Sequence, residues 1–284
     1  MFEFWSAVGV STLARNACIM ALMVSVACGV VGSFVVARRI TYIAAAIAHC
    51  ILAGMGAAQY AVRVFGWTWL TPLHGAYAAA ILAALVIGWA ALRASEREDT
   101  VISAVWAVGM AVGILFIYKT PGYQEDLMTY LVGNILLVSE ADIWTTLALN
   151  IVIVGVTWLF FPQLEAVCFD EEFARVRGLR VEVYYALLLV LTAITVVMLA
   201  MVVGIVMVIA LLTLPAAVAG RATGSLGRTM ALAVLLCAGL NVGGLWISYV
   251  PDLPAGAVII LLGGAVYLGT LVFGGIRGRR SAVR

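Results

Sequence analysis

Residues 183–219 read VYYALLLVLTAITVVMLAMVVGIVMVIALLTLPAAVA, thirty-seven residues without a charged side chain. A bilayer core takes about twenty apolar residues as one helix. The stretch is too long for one ordinary span and long enough for two, and Gly204 is where a turn or break fits. The same composition continues outward from it. Of 284 residues, 65% are hydrophobic and 11% are charged, whereas a soluble domain carries about 25% charged residues. Such a chain cannot cover a water-facing surface. One apolar run could be a buried core helix, but eight or nine in series leave no room for that reading. The fold class is therefore all-α, a polytopic transmembrane helical bundle of eight or nine spans, read as a single domain over residues 1–284.

Spans are expected at about 13–37, 42–62, 72–92, 100–118, 143–161, 183–201, 203–219, 230–249 and 255–275. Breaks fall at Arg38-Arg39, Thr71-Pro72, Arg93–Asp99, Pro121-Gly122, the long segment 163–182, Arg221–Arg228 and Pro251–Pro254. Lys and Arg set the orientation. With nine spans and the N-terminus outside, thirteen of the sixteen basic residues lie in inside loops and three (Arg15, Arg63, Lys119) lie outside. A single span over 183–219 would instead put the basic C-terminus outside. The outside segment 120–142 is acidic, with Leu127, Leu131, Ile135 and Val138 at helical spacing. A short helix against the outer rim is expected there. The first helix lacks the charged start and cleavage site of a secretory signal, so no processing is expected.

Composition also excludes several functions. The net charge of +2 and the lack of a basic stripe with interleaved aromatics give no nucleic-acid partner. The partner written into the composition is the lipid bilayer. Cys18, Cys28, Cys50, Cys168 and Cys237 are scattered, without a CxxC pair. They read as small buried side chains rather than a disulfide framework or zinc cluster. All fourteen carboxylates fall in loops or at span ends. Ion- or proton-driven transporters usually keep one at membrane depth, which weighs against a self-powered carrier. The only lysine, Lys119, has no glycine loop before it. A P-loop needs that arrangement, so ATP chemistry must come from a partner.

Few polar residues remain at membrane depth: His49, Cys50, Gln59, His74, Asn150 and Asn241. His49 lies mid-span in Tyr42–Ala58, among small residues that let helices approach closely. A lone His of this kind fits a hydrogen bond to a neighbouring helix as well as a metal ligand. His74, near a span boundary, reads as interfacial. Cys50 points about 100° away from His49 on a helix, and it and Met55 read as packing residues.

Segment 163–182 is the longest polar inside segment. Asp170 can cap a short helix, with Glu171 and Glu172 in its first turn and Gly178 ending it. The helix carries Phe173 and Val176 on one side, with Arg175 nearby. A connector on the membrane surface and a docking helix for a cytoplasmic partner both fit that composition.

Several segments in order resemble one family, the permeases of ABC importers for manganese, zinc and iron. Gly32–Ile40 is similar to the end of that family's first span. Tyr42–Gly54 resembles its metal-site helix, with His49 and Gly54 in the matching places. Glu98-Asp99 with Ala107, Gly109 and Gly113 looks like its fourth helix, and Leu131–Leu136, which holds Gly133 and Asn134, like its extracellular Gly-Asn-Ile-Leu motif. Phe169–Leu179 is similar to its coupling helix, and Val203–Ala217 and Pro254–Gly256 match two further signatures.

The resemblance implies a subunit of an ATP-driven importer in the bacterial inner membrane, with no catalytic residues of its own. It implies pairing with a second copy, a cytoplasmic ATP-binding-cassette dimer, and an extracytoplasmic binding protein that delivers the metal. His49 would be the metal ligand. Phe169, Asp170, Glu172, Ala174, Arg175 and Gly178 would couple the chain to the ATPase. The family helix typically reads Gly-Asp-Ala-x-Ser-His; here Ala45 replaces the Asp, Ala48 the Ser, and Ala53 a later Pro. A hard carboxylate favours manganese or iron(II), while imidazole without it suits zinc. A permease for a metal chelate or other small solute therefore stands as the alternative. A membrane-embedded enzyme would need clustered His, Asp or Glu at one face, which is not apparent. A substrate-free scaffold would not turn over ATP in response to metal.

Overall fold

A computed structural model describes residues 9–93, 98–121, 138–249, 251 and 253–281. The described residues form helices and no strands. In chain order these are α1 Thr12–Ala37, α2 Thr41–Phe65, α3 Pro72–Arg93, α4 Glu98–Lys119, α5 Glu140–Leu159, α6 Phe161–Phe169, α7 Glu171–Val176, α8 Val181–Val203, α9 Ile205–Ala222, α10 Leu226–Tyr249 and α11 Ala255–Ser281. All but α6 and α7 are long and apolar enough to cross a membrane, which gives nine candidate spans among the described residues. The protein is a multi-pass membrane protein.

The uncharged stretch does hold two helices. Gly204 separates α8 from α9 with φ 81° and ψ 156°, a backbone that L side chains rarely adopt. The start of α5 also differs slightly from its expected edge. Ser139 Oγ and N donate to Asp142 Oδ2 at 2.6 and 3.0 Å, and Asp142 N donates back to Ser139 Oγ at 3.3 Å. That reciprocal cap begins the helix at Glu140 rather than near 143.

The chain divides into two compact units. One holds residues 1–36, 134–150 and 210–284. There α1 and α10 approach so closely that a Cβ on Gly29 would run into the Val234 backbone. Asn241 Nδ2 donates to Ser25 Oγ at 2.9 Å and to the Ala21 carbonyl at 3.3 Å, and Asn150 Nδ2 donates to the Met23 carbonyl at 3.1 Å. Lipid offers no hydrophobic drive between helices, so close approach and such bonds hold this unit together.

The other unit holds residues 37–133 and 151–209. Its centre is α2, packed against α3, α4 and α8, while α8 also meets α6 and α7. The small residues of α2 face its neighbours, as their spacing suggests. Gly54 and Gly75 stand opposite each other, and a Cβ on either would strike the other's carbonyl oxygen. Ala44, Ala46, Ile47, Ala48 and Ile51 are buried in the same packing.

Candidate functional site

Two places in the second unit carry the sequence-derived site residues. The first is the middle of α2. His49 is half-buried, and its Nδ1 lies 2.8 Å from the Ala45 carbonyl oxygen one turn back. A carbonyl oxygen only accepts, so Nδ1 carries a proton, and in the neutral ring Nε2 keeps the lone pair. Metal-binding histidines commonly place their other nitrogen on such an acceptor. The imidazole stacks on Trp106 of α4, with ring centroids 4.4 Å apart and planes 27° apart. Trp106 Nε1 donates to Met110 Sδ at 3.3 Å.

Cys50 turns away from this face, as helical spacing requires. It is buried, and its Sγ donates to the Val105 carbonyl at 3.3 Å. Met55 is buried as well. His74 has a different partner from His49. It is exposed and pairs with Thr71 at the start of α3, with Nδ1 2.9 Å from Thr71 Oγ1. Among the described residues no three of His, Cys, Asp and Glu come together around one point. His49 is therefore the lone sequence-derived ligand at its site. A cavity of about 370 Å³ opens between α2, α3 and α4, lined by Cys50, Ala53, Ala79, Ala83, Val105 and Gly109 among others. Its lining is apolar apart from the Cys50 thiol, which is already engaged with the Val105 carbonyl.

Sequence reasoning passed over Trp106. It sits eight residues into a 22-residue helix, whereas membrane tryptophans concentrate at the interfaces. That misplacement was the available signal.

The second place is the polar loop. Asp170 caps α7 by accepting from the Phe173 backbone N–H at 2.9 Å. Gly178, at φ 81°, ends it. Leu179 N donates to the Ala174 carbonyl at 3.1 Å and Gly178 N to the Arg175 carbonyl at 2.9 Å, the paired bonds of a Schellman ending. Ala174 is completely buried beneath the helix.

Ion pairs hold this short helix in place. Glu171 Oε2 accepts from Arg38 Nη2 at 2.5 Å, and its Oε1 accepts from Arg175 at 3.1 Å. Arg175 also reaches Glu182 at the start of α8, at 2.9 Å. Arg38 in turn lies over the Tyr185 ring at 5.3 Å. Burial alone would raise the Glu171 carboxyl, but hydrogen bonds and charge from Arg38 and Arg175 outweigh it and hold the group below the usual carboxylate range. Burial pushes the neighbouring Cys168 thiol up to about 12, so it is not a reactive nucleophile.

The opposite side is largely exposed, with the Arg177 guanidinium lying 4.9 Å over the Phe173 ring. Phe169, Phe173 and Val176 are 64%, 51% and 87% exposed, and Asp170, Glu172 and Arg175 are exposed beside them. Gly133 and Asn134 lie outside the described residues, as does most of the expected rim helix.

The family model described as the ABC 3 transport family matches residues 11–274. A protein named "Probable metal transport system membrane protein" of Chlamydia trachomatis is 38% identical over 249 residues, covering 87% of this chain and 85% of its own. "Manganese transport system membrane protein MntC" of Listeria monocytogenes is 32% identical over 260 residues, covering 91% and 90%. The solved structure titled "PsaBC from Streptococcus pneumoniae in complex with Fab" is 31% identical, covers 94% of this chain and 93% of its own, and superposes with a TM-score of 0.82.

Proposed function

The chain belongs to the ABC 3 transport family, and on that premise we propose that it is the membrane-spanning subunit of an ATP-driven importer for a divalent transition-metal ion: zinc, manganese or iron. In this reading it works as one permease domain and forms a pore with a second copy. It takes metal from an extracytoplasmic binding protein, and a separate cytoplasmic ATP-binding-cassette dimer hydrolyses the ATP. The N-terminus lies outside and the C-terminus inside, following the arginine distribution. The relatives named for metal and manganese transport support the cargo class.

The observation that carries the coupling role is segment 169–179, built around α7. A capped helix with ion pairs beneath it and exposed aromatic side chains above suits a groove on a partner. Phe169, Phe173 and Val176 enter that groove. Asp170 and Gly178 fix the two ends of the helix, Ala174 seats it, and Glu172 and Arg175 line its rim. A push on α7 reaches Arg38 through Glu171, and α2 begins three residues later at Thr41. The same push reaches α8 through the Arg175–Glu182 pair. Cargo ligation falls to His49 Nε2, completed across the pore by the second copy. Gly133 and Asn134 take the extracellular side, where metal is handed over.

Reconstitution with the ATPase subunit and binding protein in liposomes tests this. ATP-dependent accumulation of zinc, manganese or iron is expected, and metal uptake that is indifferent to ATP overturns the reading. A second reading, a permease for a metal chelate or other small solute, draws on Ala45, which leaves α2 without a carboxylate beside His49. Uptake of a chelated metal in preference to the free ion would favour it.

A further inference from the structure

We propose that Trp106 is a positioning residue for metal ligation. It holds the His49 ring in one orientation and one tautomer, with Nε2 as the single nitrogen offered to the cargo. This rests on the reading of His49 as the cargo ligand.

Three observations converge on it. First, the Ala45 carbonyl occupies Nδ1 at 2.8 Å, which leaves Nε2 as the lone-pair atom. That bond alone lets the ring rock about its hinge. Second, the indole stacks on the imidazole at 4.4 Å and 27°, which removes that freedom and closes one ring face. Third, the indole is itself anchored through Nε1–H to Met110 Sδ at 3.3 Å. The helices are near enough for this because α4 carries Gly109 against Cys50, where a Cβ would collide with the sulfur.

The chemistry gives the stack a second consequence. A divalent ion on Nε2 draws electrons out of the imidazole, and the electron-rich indole face favours an electron-poor ring. With Ala45 in place of a carboxylate, no anion on that turn balances the ion. Part of that task passes to the π face. Trp106 therefore strengthens ligation without touching the metal.

The test uses the full chain in lipid nanodiscs with ¹⁵N-labelled histidine. There are only two histidines, and a His74→Ala background leaves His49 alone in the spectrum. The expected spectrum shows the Nδ1–H form, shifted by the indole ring current, and zinc chloride perturbs Nε2. Trp106→Leu is expected to mix the tautomers and weaken zinc binding roughly tenfold, with Trp106→Phe recovering most of the loss. In the assembled transporter the same variants raise the KM for zinc and leave kcat nearly unchanged. A wild-type His49 in the Nε2–H form overturns the inference without any variant. So does a Trp106→Leu chain with unaltered tautomer and zinc affinity. If His49→Ala binds zinc and transports it normally, the ligand reading itself has failed, which is a separate outcome.

Discussion

The His49 face of α2 and the Phe169–Leu179 loop sit in one unit and are built on opposite terms. Around His49 the contacts among the described residues are uncharged: a carbonyl, an indole and, behind it, a thioether. Around α7 charge is concentrated, with Arg38, Glu171, Arg175 and Glu182 linked in a chain of ion pairs. In the proposed reading, the His49 site must bind cargo loosely enough to release it, which suits an uncompensated nitrogen. In the same reading α7 receives force and must not give way, and a network that ties it to the turn before α2 and to the start of α8 supplies that stiffness. Exposed ion pairs each contribute little, but Arg38 and Glu171 are only 23% and 29% exposed, so this pair is better protected from water than most.

Breaking the cargo side has the largest effect. His49→Ala is expected to lower ATP-driven metal uptake by more than about tenfold, with the ATPase complex still assembling; unchanged uptake removes the ligand. On the other side, Ala174→Leu forces bulk beneath a fully buried position and costs about 1–3 kcal/mol. Pull-down of the ATPase subunit should fail. Gly178→Ala leaves the helix ending strained at φ 81°, by about 1–2 kcal/mol, and should weaken the same complex less.

Glu171→Gln sharpens the contrast. The fold is expected to survive with about 1 kcal/mol lost. ATP hydrolysis should continue while uptake per ATP falls, and equal coupling ratios would argue against the Arg38–Glu171 route. The smallest effect is with acid. The Glu171 carboxyl lies lower in the folded chain, so its stabilisation is complete above the unfolded value of about 4.3 and fades as pH falls through the folded one. Amide exchange in residues 170–179 should quicken below about pH 4, while amides near His49 do not follow.

The sequence was informative where the physics is local. The nine spans follow from apolar runs, the break at Gly204 from the length of 183–219, and the limits of α7 from Asp170 and Gly178. Each needs only neighbouring residues. What the pattern did not disclose is long-range. Arg38 and Glu171 are 133 positions apart, and no periodicity pairs them. Trp106 meets His49 only because Gly109 lets α4 lie against α2, which is a fact of packing. The fate of the replaced carboxylate shows the same limit: Ala45 could be read as a loss, but the use of its backbone carbonyl to orient His49 required coordinates.

In the proposed reading, force enters through the exposed side of α7 from the cytoplasm. Val176 is 87% exposed there. A Val176→Cys chain, probed with a membrane-impermeant maleimide in sealed vesicles of both orientations, tests it directly. Labelling in inverted vesicles, blocked when the ATPase subunit is bound, is the expected result. Labelling from the extracytoplasmic side, or labelling that ATPase binding leaves unchanged, would rule out α7 as the cytoplasmic docking helix.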